Sequence, residues 1–149
     1  STRGSGQSAQ QAAAMRARGA ELAELGPAAF AERRGARLVT DRASAELVQR
    51  IAATMTDAIR MPGYGYAAES MAETDLSAEL SDVRAPTLVL CGAEDRITGV
   101  EESQALAGGI RDAVFGTLAA SGHLANQESP EAFNAWVSSY IHIIERLYR

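Results

Sequence analysis

Asp95 and His123, 28 positions apart, have the residue types and the chain order that proton-transfer chemistry asks for. A serine hydroxyl is a poor nucleophile until an imidazole takes its proton. The imidazole in turn needs a carboxylate on its other nitrogen to hold its tautomer and orientation. His123 fits the base and Asp95 the group that orients it. The third participant is missing from the pattern. A nucleophilic serine on a G-x-S-x-G elbow would precede both partners in the chain, and no such motif occurs here. Gly4-Ser5-Gly6 has Arg3 where the first glycine belongs, and Ser121 has Ala119 in that place. Each residue also has a plainer reading. Asp95 can shape the turn after a strand by bonding nearby backbone N–H groups, and His123 can be a loop histidine bonded to backbone.

The elements that must position the two residues are strand, turn, helix, strand and turn. Residues 85–92, APTLVLCG, place a proline ahead of an apolar run that closes on glycine. Such a run with turn residues at both ends suits a strand covered on both faces, as in a parallel sheet. A helix over 100–110 and a weaker strand over 113–118 follow. Asp95 and His123 then lie just past the carboxyl ends of successive strands, the edge where ligands and catalytic groups collect in open α/β sheets.

PTLVLCGAEDRIT followed by SGHLANQESPEAFN resembles the C-terminal part of an α/β-hydrolase of the ester and lactone hydrolase type, in particular the 3-oxoadipate enol-lactonase-like group. The resemblance is strongest over 75–136 and looser back to about residue 20. By it, Asp95 matches the triad acid and His123 the triad base. The nucleophile and the oxyanion-hole segment of that family have no counterpart in this chain. The implied fold class is α/β, a helical cap with the last two core strands and the C-terminal helix, the nucleophile half being absent. Residues 1–4 resemble the polar loop that follows a core strand in that family. A complete α/β domain of roughly 200–250 residues would exceed the 149 present.

Organisation along the chain agrees with this division. Residues 1–8 form a polar, glycine-rich segment expected to be mobile, 9–81 a helical cap region, and 82–149 the part of the core with the acid and base. Alanine-rich 9–25 favours a helix, stopped by Gly26-Pro27, and a short helix over 28–34 ends at Gly35. Ser44 is an N-cap for a helix to residue 60 with Leu47, Ile51, Met55 and Ile59 on one stripe. A further helix over 64–73 leads to a link over 74–84. Four helical segments without an intervening strand suit a cap over the catalytic edge. After Ser129-Pro130, Phe133, Trp136, Val137, Tyr140, Ile141, Ile144 and Leu147 recur at spacings of three and four, a stripe that needs a sheet face.

Composition excludes several classes. A net charge of −5, with all fourteen basic residues arginine and scattered, argues against a nucleic-acid surface. One cysteine permits no internal disulfide and fits a reducing, cytoplasmic compartment. One Cys and two His speak against a metal site, and no cofactor is expected. No apolar run is long enough to span a membrane. Cys91 reads as a buried filler and His142 as a surface residue. Met55, Met61, Tyr64, Tyr66 and Met71 suit either an acyl pocket or ordinary helical packing.

The expected function is hydrolysis of a small-molecule carboxylic ester or lactone, with Asp95 and His123 serving a serine outside this chain; the chain alone is expected to be inactive. One alternative is a non-catalytic remnant or assembly module. Another is a different α/β-hydrolase chemistry, dehalogenation or C–C hydrolysis. The apolar surface exceeds what two strands can cover, so the expected partner is the missing N-terminal half or a second copy of the chain.

Overall fold

The computed structural model describes residues 4–147 of the chain. It contains six α-helices and two strands in the order α1 (Ala9–Gly35), α2 (Ala45–Ala58), α3 (Gly63–Glu73), β1 (Leu88–Gly92), α4 (Gly99–Gly109), β2 (Val114–Leu118), α5 (Ala125–Glu128) and α6 (Pro130–Leu147). Helix α1 starts on a capping box: the Ser8 hydroxyl accepts from the Gln11 N–H, and the Gln11 side chain accepts from the Ser8 N–H. It is two helices laid end to end. Gly26 sits between them at φ 73°, and Pro27, with no N–H to give, restarts the helix.

The three N-terminal helices bury one another's apolar faces. Leu22, Phe30 and Ala31 are almost wholly enclosed, and Phe30 meets Tyr64 edge to face with ring centroids 5.2 Å apart. Ser44 caps α2 through the Leu47 N–H, a contact worth about 1 kcal/mol. The α2 stripe then puts Leu47 and Ile51 into a buried cluster with Val39, and Met55 and Leu124 pack against it. Leu124 lies just past His123, so this cluster joins the helical segment to the histidine turn.

β1 and β2 run parallel in a two-stranded sheet, Leu88 opposite Val114 and Gly92 opposite Leu118. Helix α4 connects them, as a parallel crossover requires. The apolar run of β1 is only partly enclosed: Val89 and Cys91 are buried, whereas Leu88 and Leu90 are half-buried. Helix α6 packs the Trp136 ring on Gly116 of β2. Its apolar stripe is less covered than its periodicity leads one to expect. Phe133, Val137, Tyr140 and Ile144 are half-buried, Ile141 and Leu147 are exposed, and no residue of α6 is buried. Two strands do not offer enough sheet to cover a helix of 18 residues.

The N-terminal segment departs from expectation. Residues 1–3 lie outside the described residues, but 4–7 are docked rather than loose. The Gly4 carbonyl accepts the Leu76 N–H at 2.8 Å and the Ser5 hydroxyl donates to Glu102 at 2.6 Å. Gly4 is small enough to lie between Leu80 and Leu106. The link over 74–84 contains a single 3-10 turn, Leu80–Asp82, and α5, one turn long, follows the histidine.

Candidate active site

Position 92, the last of β1, admits no residue but glycine. A Cβ there would lie 2.1 Å from the Gly122 carbonyl oxygen and 2.3 Å from that of Ser121, far inside any real contact. The turn after β2 therefore passes directly across the turn after β1. Two backbone bonds fasten them: the Ala93 N–H donates to the Leu118 carbonyl at 2.8 Å and the Glu94 N–H to that of Ser121 at 2.9 Å.

Asp95 is held within this crossing. Its Oδ1 accepts the N–H groups of Ile97 and Thr98 at 2.8 and 3.2 Å, and its Oδ2 accepts the Thr98 hydroxyl at 3.0 Å. The same Oδ2 lies 3.0 Å from Nδ1 of His123. The Asp95 side chain has no exposed surface and that of His123 is 21 % exposed. A buried carboxylate without partners would be costly; here the local donors and the imidazole supply them. Asp95 thus shapes its turn and also meets His123, so the two readings of it are compatible.

The histidine turn is equally constrained. Ala120 adopts φ 54°, reversing the chain after β2. Ser121 is fully buried, its hydroxyl donating to the Ala119 carbonyl and lying 2.8 Å from that of Ser129. That enclosure leaves it no access to a substrate. The Gly122 N–H donates to Glu128 at 2.6 Å, and the Leu124 N–H donates to the Leu38 carbonyl at 3.0 Å. Glu128 also accepts the N–H and the hydroxyl of Thr40, both at 2.8 Å.

Ion pairs bring the segment between α1 and α2 onto the acid turn. Arg96 grips Asp41 through two nitrogens at 3.1 and 2.8 Å, and Arg42 pairs with Glu94. The hydrogen bond and charge of Arg96 hold the Asp41 carboxyl below its ordinary pKa, and Asp41 in turn raises that of Arg96. Both pairs are exposed, which limits what they add to stability.

Other residues singled out in the sequence lie away from this crossing or are spent on packing. Cys91 is buried with its sulfur 3.3 Å from the Gly92 carbonyl and 3.8 Å from Oδ2 of Asp95. His142 is exposed on α6. Met55 and Tyr64 belong to the helical core, whereas Met61, Tyr66 and Met71 are exposed. Among the described residues no group of three or more His, Cys, Asp or Glu could hold a metal ion, and no helix is long and apolar enough to cross a membrane. Sequence reasoning left out Thr98, although its place three residues after an aspartate is a familiar turn-closing pattern. Asp41 and Arg42 carried no local signal; Glu128 belongs to the SGHLANQESPEAFN stretch, but nothing local pointed to its contact with Thr40.

Similarity to known proteins bears on this arrangement of strands and turns. No family model matches the chain. It is 34% identical over 91 residues to 3-oxoadipate enol-lactonase 2 of Acinetobacter baylyi, an alignment covering 61% of this chain and 33% of that protein. Among solved structures it superposes on a thermophilic esterase from Thermogutta terrifontis at TM-score 0.78 and 29% identity, over 93% of this chain and 54% of the other. The enol-lactonase from Burkholderia xenovorans matches with TM-score 0.69 at 24% identity, over 84% and 48%. The fold is that of the C-terminal part of an α/β-hydrolase. The chain spans about a third of the length of the curated relatives it matches and about half of the solved structures.

Proposed function

We propose that this part of an α/β-hydrolase supplies the acid and base of an ester- or lactone-hydrolysing enzyme, with residues 9–81 as its cap. The observation that carries the reading is the 3.0 Å contact between Asp95 Oδ2 and His123 Nδ1 where two strand-end turns cross. With Nδ1 directed at the carboxylate, Nε2 is the nitrogen that accepts a proton. In the proposed cycle it takes the proton of a serine hydroxyl as that oxygen attacks the acyl carbon. It returns the proton to the leaving alkoxide or enolate. It then takes a proton from the water that attacks the acyl carbon and gives it to the departing serine oxygen, releasing the acid. The Asp95 carboxylate stabilises the imidazolium formed each time Nε2 takes a proton. The serine and the oxyanion donors belong to sequence outside these 149 residues, and the setting is cytoplasmic.

Similarity to the enol-lactonase and the esterase favours acyl transfer over the other chemistries of the fold. A fluorophosphonate probe tests the assignment. The longer protein carrying a G-x-S-x-G elbow is expected to label stoichiometrically, and its His123→Ala variant to lose labelling. The chain Ser1–Arg149 alone is expected to remain unlabelled. Stoichiometric labelling of the pure chain, lost in His123→Ala, would place the nucleophile within it.

A second reading, an assembly module, draws on the exposed apolar face of α6 and its groove. That groove, about 410 Å³, is lined by Val83, Pro86, Val114, Trp136, Ile143 and Leu147, among others. Its proposed occupant is the complementary half of the same sheet.

A further inference from the structure

His123 is flanked by two backbone anchors that both lead to the segment joining α1 and α2. On one side the Leu124 N–H donates to the Leu38 carbonyl. On the other the Gly122 N–H donates to Glu128, whose second oxygen takes both donors of Thr40. Thr40 is buried, 5% exposed. Glu128 is therefore a two-sided acceptor: Oε2 holds the residue before the histidine, and Oε1 holds a residue 88 positions away in sequence. The packing around it is tight. A Cβ on Gly122 would lie 3.0 Å from Glu128 Oε2 and 3.0 Å from the Val39 backbone. A side chain at 122 would require residue 39 or Glu128 to give way by a few tenths of an ångström.

We propose that Glu128 is a positioning residue for His123. It fixes the histidine turn against residues 38–40 so that Nδ1 stays on Asp95, and it makes the alignment of that pair depend on where the N-terminal helices sit. The inference rests on the proposed role of His123 as base. An amide N–H and a threonine N–H/O–H pair approach the carboxylate from opposite sides, and all three are donors. Only an acceptor at both oxygens satisfies them. Glutamine has the same shape but one acceptor oxygen, so its NH2 must face either Gly122 or Thr40 and repel an N–H there. Aspartate is one methylene too short to reach both. The neighbouring pairs Arg96–Asp41 and Arg42–Glu94 bind the next residues of the same segment to the acid turn. Residues 38–42 thus brace both turns from one side, and Glu128 is the member of that brace that bears on the histidine.

The test is the exchange of the His123 Nδ1 proton in the isotopically labelled full chain, observed by NMR with the amides of β1 and β2 as an internal check of folding. Wild type is expected to show a slowly exchanging low-field Nδ1 proton. In Glu128→Gln, matched in volume, that proton should exchange roughly tenfold faster or more, as expected for loss of a hydrogen bond to a charged group, with the strand amides unchanged. Thr40→Val removes one donor and keeps the Thr40 N–H contact, and should give a smaller acceleration in the same direction. An unchanged Nδ1 proton in both variants would overturn the positioning role and leave the Asp95–His123 contact standing. A wild-type chain whose His123 ring signals are unaffected by Asp95→Asn would instead overturn the pair itself, and the proposal with it. Loss of strand amides in Glu128→Gln together with an unaltered Nδ1 proton in Thr40→Val would show a structural staple only and also overturn it.

Discussion

The crossing of the two strand-end turns and the far face of the sheet are built to different standards. At the crossing, backbone donors and carboxylate oxygens are matched around Asp95, and glycine at 92 admits a carbonyl where any side chain would collide. Across the sheet, α6 buries none of its residues, with Ile143 54% and Leu147 72% exposed. A corner of this kind can be fastened by a few short turns, because its bonds are local and directional. A sheet face cannot, because apolar cover scales with area and each strand needs two neighbours.

The strongest way to break the contrast is to disturb the crossing. Gly92→Ala should cost more than about 4 kcal/mol or prevent folding, since the added carbon meets backbone rather than a movable side chain; urea unfolding measures it. Leu147→Ser, at the exposed end of α6, should stay within about 0.5 kcal/mol. Equal losses at the two places would remove the distinction.

Asp95→Asn comes next. The amide oxygen can still serve the Ile97 and Thr98 N–H groups, leaving an NH2 facing Nδ1. In a protein that also carries the proposed serine, kcat is expected to fall by about 10⁴ through the wrong imidazole tautomer, with unfolding free energy changed by about 1–3 kcal/mol. A loss of kcat under tenfold would argue that the contact only shapes the turn.

Sedimentation equilibrium sharpens the other side of the comparison. Material of verified mass, Ser1–Arg149, is expected to self-associate at micromolar concentration through the α6 stripe and the open strand edges. Ile141→Glu combined with Ile143→Glu should shift it toward monomer. A cooperative, well-folded monomer of the wild-type chain would mean that half-buried Leu88 and Leu90 are cover enough.

The smallest effect belongs to the exposed brace. Arg96 depresses the Asp41 pKa, so the carboxylate binds fewer protons folded than unfolded. Its contribution is present above the ordinary value of 3.8 and is lost as pH falls through the lower folded value. The thermal midpoints of wild type and Asp41→Asn should therefore differ slightly near neutral pH and converge in acid, and the difference should shrink in high salt. A difference that persisted in strong acid would show another cause.

Much of the local framework was legible in the sequence. Proline before an apolar run and glycine after it marked β1, Ser44 marked the start of α2, and Gly26-Pro27 marked a break that the structure places inside α1. These signals concern a residue and its immediate neighbours. The placement of Asp95 against His123 followed from two strand ends on one sheet edge. What escaped notice depends on contacts between distant residues: Thr40 with Glu128, Asp41 with Arg96, Ser5 with Glu102. Periodicity located the stripe on α6 and carried no information about how much sheet lies beneath it.

The sheet edge also has a direction. The Val114 N–H donates to Thr87 and the Ala93 N–H to Leu118, so alternate residues of β1 face β2, and Leu88 and Leu90 turn their backbone groups the other way. A strand that adds there in the parallel sense must end beside Gly92. Whatever follows its last residue is then delivered to the side on which His123 stands, with no guidance beyond backbone polarity. For any strand that paired there, orientation alone would specify where its following turn arrives.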